Sequence, residues 1–422
     1  MSERYANHIA YLFFNLFIPA LGRRMLVDIV NRKLIDNPLW FSEKRHTIAA
    51  GGEEVKGINI GKILIEKRRE KGITQEELAA YAGVSKAAVS KWETGVSYPD
   101  IALLPQLAAY FNISIDTLMG YEPQMTKDDI RKLYHRLAAD FAHRPFQEVM
   151  EECETLIRKF YSCEALLLQM AVLLLNHAQM APDARPVLER AVELCKRTRE
   201  LCTDVWSAKE ASQVEANAYL LMQEPHKIME LFGEKLQPMT QESELLAIAC
   251  QAAGNRIEAN RIMQVCIYQH MLFLLGDSIC YISDNMQDTQ KTEETIQRSL
   301  RVCSVYEVDT LHSNTALSLY MVCALYYCRV ENKDEAVKML ERYVHVCCEL
   351  DFPMRLCKDS YFDLIEPWLN ELELGLDAPL NTDVIKETLI QGLTENPELK
   401  ILKDDARYKR LVLQLKQKLE VK

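Results

Sequence analysis

Glycine and proline are scarce, at 14 residues each in a chain of 422. A many-stranded sandwich or barrel needs far more turn residues, so the shortage points to an all-α protein. Cysteines number 13, yet no two form a Cys-x-x-Cys pair, and His345 near Cys347 and Cys348 lacks a second ligand pair at zinc spacing. No metal site and no cofactor are expected, and thiols such as Cys250, Cys266 and Cys323, which lie in apolar helical runs, read as reduced core residues. Phosphate-binding glycine loops, His-Glu-x-x-His and Gly-x-Ser-x-Gly are all missing, which argues against an enzyme. The apolar stretch from Ile9 to Leu21 is short, contains Asn15 and Pro19, and has no clear basic leader. Neither a signal peptide nor a membrane span is expected, and a cytoplasmic protein is.

What is present is length, enough for two or three domains, and a formal charge of −11. That charge is unevenly placed. From Val55 to Met125 eight Lys and Arg balance eight Asp and Glu, so the acidity belongs to the remainder and the placement of individual cations has to decide whether this segment meets nucleic acid.

Residues 1–54 carry no capped, periodic pattern and end in Gly51-Gly52-Glu53-Glu54. Purine-rich codons for that tetrapeptide would resemble a ribosome-binding site ahead of Val55, so this extension has uncertain status beside the reading of a helical arm. Residues 58–122 then parse into five short helices. The first runs from about Ile60 to Lys71 and stops at Gly72; Thr74 caps the second, with Glu77 completing a capping box; Gly83 closes it. Ser85 caps a third helix to about Glu93, Asp100 starts a fourth that ends at Asn112, and a fifth runs from Ser114 to Met119. Leu78, Ala79, Ala82, Val89, Trp92, Leu104, Leu107, Ala108 and Phe111 recur at helical spacing and close one small core.

The run Thr74-Gln75-Glu76-Glu77-Leu78-Ala79, then Gly83-Val84-Ser85, then Val89-Ser90-Lys91-Trp92-Glu93-x-Gly95 resembles the lambda-repressor/Cro class of helix-turn-helix proteins, the XRE type. The resemblance implies a DNA-binding head whose second helix of the pair enters the major groove. It places Gln75 at a phosphate, Lys86, Ala87 and Lys91 toward base edges, and Ser85 and Ser90 on the same face. It also implies a salt bridge between Arg68 and Glu93. Lys67 departs from the pattern, standing where many relatives carry a core leucine.

From residue 126 to 422 three windows look alike, around Ala184, Ala259 and Ala336, at intervals suiting two tetratricopeptide units each, with further pairs near Ile228 and Ile296. The expected architecture is a tetratricopeptide-like α-solenoid, helix after helix, closed by the segment from Asn396 to Leu415 and an amphipathic helix bearing Lys416, Lys418 and Lys422. A head of this class on such repeats resembles the peptide-sensing RRNPP regulators of Gram-positive bacteria. There, asparagines on inner helices hold an effector peptide, which makes Asn217, Asn260 and Asn314 candidates here. The expected function is a transcriptional regulator that binds a palindromic operator in double-stranded DNA as a homodimer and senses a peptide or protein. The competing reading is an interaction scaffold with secondary or no DNA binding.

Overall fold

The computed structural model describes residues 60–119, 125–233, 235 and 241–419; the proposed early extension therefore lies outside the described residues, as does Lys422. These residues fall into two compact units, a head ending before Met125 and a body beginning there. Both are helical, and the described residues contain no strand beyond one isolated bridge between Arg355 and Asp377.

In the head, α1 (Ile60–Glu70), α2 (Gln75–Ala82), α3 (Lys86–Glu93), α4 (Leu104–Phe111) and α5 (Ile115–Met119) follow the expected order. The capping box is present: Thr74 Oγ1 accepts from the Glu77 amide at 3.2 Å, and Glu77 accepts from the Thr74 amide at 2.7 Å. Gly83 ends α2 at φ 68°, a left-handed backbone that only glycine adopts without strain. One boundary differs. Asp100 caps a short 3-10 turn, Ile101–Leu103, and α4 proper begins only at Leu104, because Pro105 in its first turn needs no hydrogen-bond acceptor behind it. Ile60, Leu64, Leu78, Val89, Leu107 and Leu118 are buried in a common core, against which Phe111 is only partly covered.

The body continues with α6 (Lys127–His143), α7 (Phe146–Lys159), α8 (Glu164–His177), α9 (Ala184–Leu201), α10 (Val205–Leu221) and α11 (Pro225–Phe232). After it come α12 (Glu242–Ala252), α13 (Arg256–Asp284), α14 (Thr289–Val305), α15 (Val308–Leu311), α16 (Ser313–Arg329) and α17 (Lys333–Glu349). Two helices are buried on every side, α8 from Leu166 to His177 and α16 from Thr315 to Cys328. Each is the centre of its own core, as an all-round apolar helix must be.

Each of the three similar windows begins a helix. Ala184, Ala259 and Ala336 sit in the first turns of α9, α13 and α17, each behind a side-chain cap, Asp183, Asn255 or Asn332. Ala259 and Ala336 are buried, whereas Ala184 is only partly so. The turns before α11, α13 and α17 repeat too, each through one left-handed residue, Gln223, Gly254 and Glu331.

The body is not helix after helix throughout. Residues 350–381 form a strap whose only helix is α18 (Glu366–Glu371). Pro353 and Pro379 each withhold an amide, and Gly375 turns the chain at φ 70°, so no helix can run through. Phe362, Ile365 and Leu369 of the strap enter the second core and Leu374 enters the first. Arg131 on α6 donates to the carbonyls of Asn370, Leu372 and Glu373 at 3.0, 2.7 and 3.2 Å. Lys127 adds bonds to the Glu371 carbonyl and the Glu373 carboxylate, both at 2.6 Å. These cations meet the open carbonyls at the end of α18, where positive charge is favoured. Beyond the strap, α19 (Thr382–Thr394), a 3-10 turn (Pro397–Leu402) and α20 (Ala406–Lys418) close the body, with Leu411 and Leu415 inward and Lys416 and Lys418 in solvent.

Candidate nucleic-acid interface

The face of the head that would meet DNA is built on α3. Ser85 caps it, its hydroxyl accepting from the Ala88 amide at 3.2 Å. Val89 and Trp92 turn inward and anchor the helix, which leaves Lys86, Ala87 and Lys91 exposed and Ser90 half-buried on the outer side. The Thr94 hydroxyl donates to the Ser90 carbonyl at 2.8 Å and finishes the last turn.

What fixes the pitch of α3 against α1 is its C-terminal end. Arg68 donates from Nε and Nη2 to the two Glu93 oxygens at 2.6 and 3.1 Å, and from Nη1 to the Ile73 carbonyl at 3.0 Å. The pair expected from the resemblance is thus formed. Lys67, the departure from the pattern, stays at the surface and pairs with Glu70 at 2.8 Å, while Leu64 fills the core below it. Gly61 was missed by sequence reasoning. A Cβ there would lie 2.5 Å from the Trp92 carbonyl oxygen and 2.9 Å from that of Glu93, so the absence of a side chain is what lets α1 touch the end of α3. Its signal was an isolated glycine inside a helical run.

Two side chains on this face are already engaged. The Gln75 amide donates to Glu93 at 2.8 Å, so its hydrogen-bonding capacity in the free head is directed inward rather than to a phosphate. Lys86 forms an ion pair with Glu76, the first acidic residue of α2, which sequence reasoning did not connect to it because the two are ten positions apart on different helices. Lys91 has no ion-pair partner among the described residues.

The three asparagines fall on separate helices of the body. Asn217 on α10 donates to the Gln213 carbonyl of its own helix at 2.6 Å, and Asn260 is exposed on α13. Asn314, at the start of α16, lines a cavity of about 550 Å³ together with Asp309, Glu349, Phe352, Met354 and Ile385. Among the described residues no group of His, Cys, Asp and Glu is arranged to hold a metal ion.

Residues 64–118 match the family model Helix-turn-helix, HTH_3. The HTH-type transcriptional activator BcrR of Enterococcus faecalis is 35% identical over 78 residues, covering 17% of this chain and 38% of that protein. The HTH-type transcriptional regulator SinR of Bacillus licheniformis is 27% identical over 99 residues, 22% of this chain and 89% of its own length. This chain therefore spans well under half of the activator, and both similarities are confined to a minor share of the chain. Among solved structures, PlcR of Bacillus thuringiensis, in complex with the peptide PapR7 and DNA, is 15% identical, covers 68% of this chain and 94% of its own, and has a TM-score of 0.24. The apo competence regulator ComR of Streptococcus vestibularis is 16% identical, covers 74% and 95%, and has a TM-score of 0.24. Superpositions that loose leave the head as the basis for comparison. With its capping box, glycine turn, exposed α3 and Arg68–Glu93 pair, the head of this chain carries an XRE-type helix-turn-helix domain over residues 64–118.

Proposed function

We propose that the protein is a transcriptional regulator that reads a palindromic operator through two copies of α3 and uses its helical body to pair the heads and to sense an effector. The observation that carries the reading is the outer side of α3. Two lysines and a small alanine stand there above an inward anchor of Val89 and Trp92, a surface shaped for the floor of a major groove. Lys86 and Lys91 would donate to guanine O6 and N7, Ala87 would leave room for a thymine methyl, and Ser85 and Ser90 would contact the flanking backbone or a base edge. Gln75 would reach a phosphate only by sharing its amide with Glu93.

The head is small, and one copy covers few bases, so a tight site calls for two heads on half-sites about one turn of DNA, roughly 34–36 Å, apart. The body is the part large enough to supply the pairing. Its cavity beside Asn314 falls within the range of about 300–1,000 Å³ that holds small ligands or a peptide side chain or two, which makes it the favoured place for an effector over Asn217 or Asn260. Such a protein acts on the chromosome and works in the cytoplasm, without catalysis. Selection of binding sites from random duplex DNA by the full chain tests the reading. Enrichment of an inverted repeat with half-sites one turn apart is the expected result, and recovery of random sequence overturns it.

A further inference from the structure

α13 is 29 residues long, more than twice the usual length. One side of it is spent on the second core, through Val265, Tyr268, Leu272, Leu275 and Ile279. The other side is not uniformly polar. Met263, Ile267, His270, Leu274, Asp277 and Tyr281 are all exposed, and they recur at alternating steps of four and three residues. That is the spacing with which one helix seats a second along its whole length. This double-sided character is why α13 alone among the described helices is long and apolar enough to cross a membrane, with only half of that stretch buried. The neighbouring α12 buries Ala247 alone and leaves Leu245, Leu246 and Ile248 exposed.

We infer that this face docks on the same face of a second copy of the chain, α13 against α13 in antiparallel fashion. The inference rests on the reading of the body as the dimerising part and names the surface that does it. The stripe complements itself. A two-fold axis crossing α13 between Tyr268 and Gln269 sets Met263 against Leu274 of the second copy and Ile267 against its His270. The same axis brings Asn260 to the second copy's Asp277, amide to carboxylate, and Arg256 to its Tyr281, guanidinium to aromatic ring. Ile267 lies over a His270 whose ring is 3.7 Å from the Glu244 carboxylate of α12, Met263–Leu274 layers lie outside that pair, and polar pairs close the ends. The exposed apolar side chains of α13, and of the α12 packed against it, are the surface such a pairing would remove from water. Asn260 and Asp277 within the stripe argue against a lipid surface, and an unrelated protein would not require the stripe to match its own reverse.

Sedimentation velocity on the full chain and on Met263→Lys, Leu274→Glu and their equimolar mixture tests the register, with far-UV circular dichroism to show that each is folded. Wild type should be a dimer, each variant a monomer with dimerisation weakened by more than about a hundredfold, and the mixture a dimer again, since only the antiparallel register places the lysine of one beside the glutamate of the other. Should a charged variant lose helicity, Leu274→Ser reads the same face. Variants that dimerise like a dimeric wild type overturn this surface while sparing the dimer reading, as does a mixture that stays monomeric. A wild type that is monomeric, even on its operator, removes the dimer reading itself.

Discussion

The guanidinium of Arg68 grips both carboxylate oxygens of Glu93, at 2.6 and 3.1 Å, and so ties the first helix of the head to the last residue of the helix that faces DNA. Burial alone would raise the Glu93 pKa, but the hydrogen bonds from Arg68 and Gln75 outweigh it and hold the group below its ordinary value of 4.5. A carboxyl depressed in the folded state contributes stability that is complete above the unfolded value and is lost as pH falls through the folded one. The head should therefore loosen on acidification below about pH 4.5, and Glu93→Gln should remove that dependence while costing about 2–4 kcal/mol at neutral pH, because Arg68 is left partly buried and unpaired. Urea unfolding of wild type and variant across pH 3 to 7, followed by Trp92 fluorescence, checks both points.

Gly61→Ala sets helix propensity against space. Alanine favours a helix interior by about 1 kcal/mol over glycine, yet the added methyl would meet two backbone carbonyl oxygens that cannot rotate away. Sterics should win, with a net loss of roughly 1–3 kcal/mol measurable as a lowered midpoint of thermal unfolding of the head; a gain in stability would show that α1 and α3 are not so closely apposed.

On the DNA side, Lys91→Ala should cost roughly 1–3 kcal/mol on the selected operator and relax preference at one base pair. Lys86 must leave Glu76 before it can reach a base. Glu76→Gln frees it and removes a negative charge beside the phosphates, so affinity should rise by a few-fold, in keeping with the small worth of an exposed ion pair. Fluorescence anisotropy titrations at two salt concentrations decide the matter. An unchanged or weakened affinity for Glu76→Gln would mean that Lys86 reads nothing.

Arg131→Ala deletes three bonds to the strap at once. Bonds made by a charged donor contribute about 1.5–3 kcal/mol each at most and are not additive, so a loss of roughly 2–3 kcal/mol is expected. Hydrogen exchange should accelerate in residues 366–377 while the amides of α16 stay protected. Unchanged exchange in the strap would show that Lys127 and Leu374 suffice to hold it.

The head was nearly all legible in the sequence because its signals are local: Thr74 with Glu77, Gly83 and Ser85 each state a helix end within four residues. The Arg68–Glu93 pair was legible only through the family resemblance, and Gly61 was not read at all, since what makes it necessary is a carbonyl more than thirty positions away. In the body, alanines at 184, 259 and 336 each marked the first turn of a helix, although Ala184 is the first residue of α9 and the other two are the fourth residues of α13 and α17. The strap was not foreseen, because it is held by contacts between residues 127–135 and 370–374 that no window of sequence contains. Lys86 with Glu76 illustrates the same limit on a smaller scale: an exposed cation looks free until the neighbouring helix is in place.

The clasp between α6 and the strap has a bearing on how the chain is made. An open array of helix pairs can gain order unit by unit as it leaves the ribosome, because every unit needs only its neighbour. Here the first helix of the body keeps its Arg131 and Lys127 without their acceptors until some 240 further residues have been synthesised. The body then closes late, by one long-range step that is slow in the way all non-local contacts are. During that interval the head, whose core among the described residues lies wholly within Ile60–Met119, has already left the ribosome.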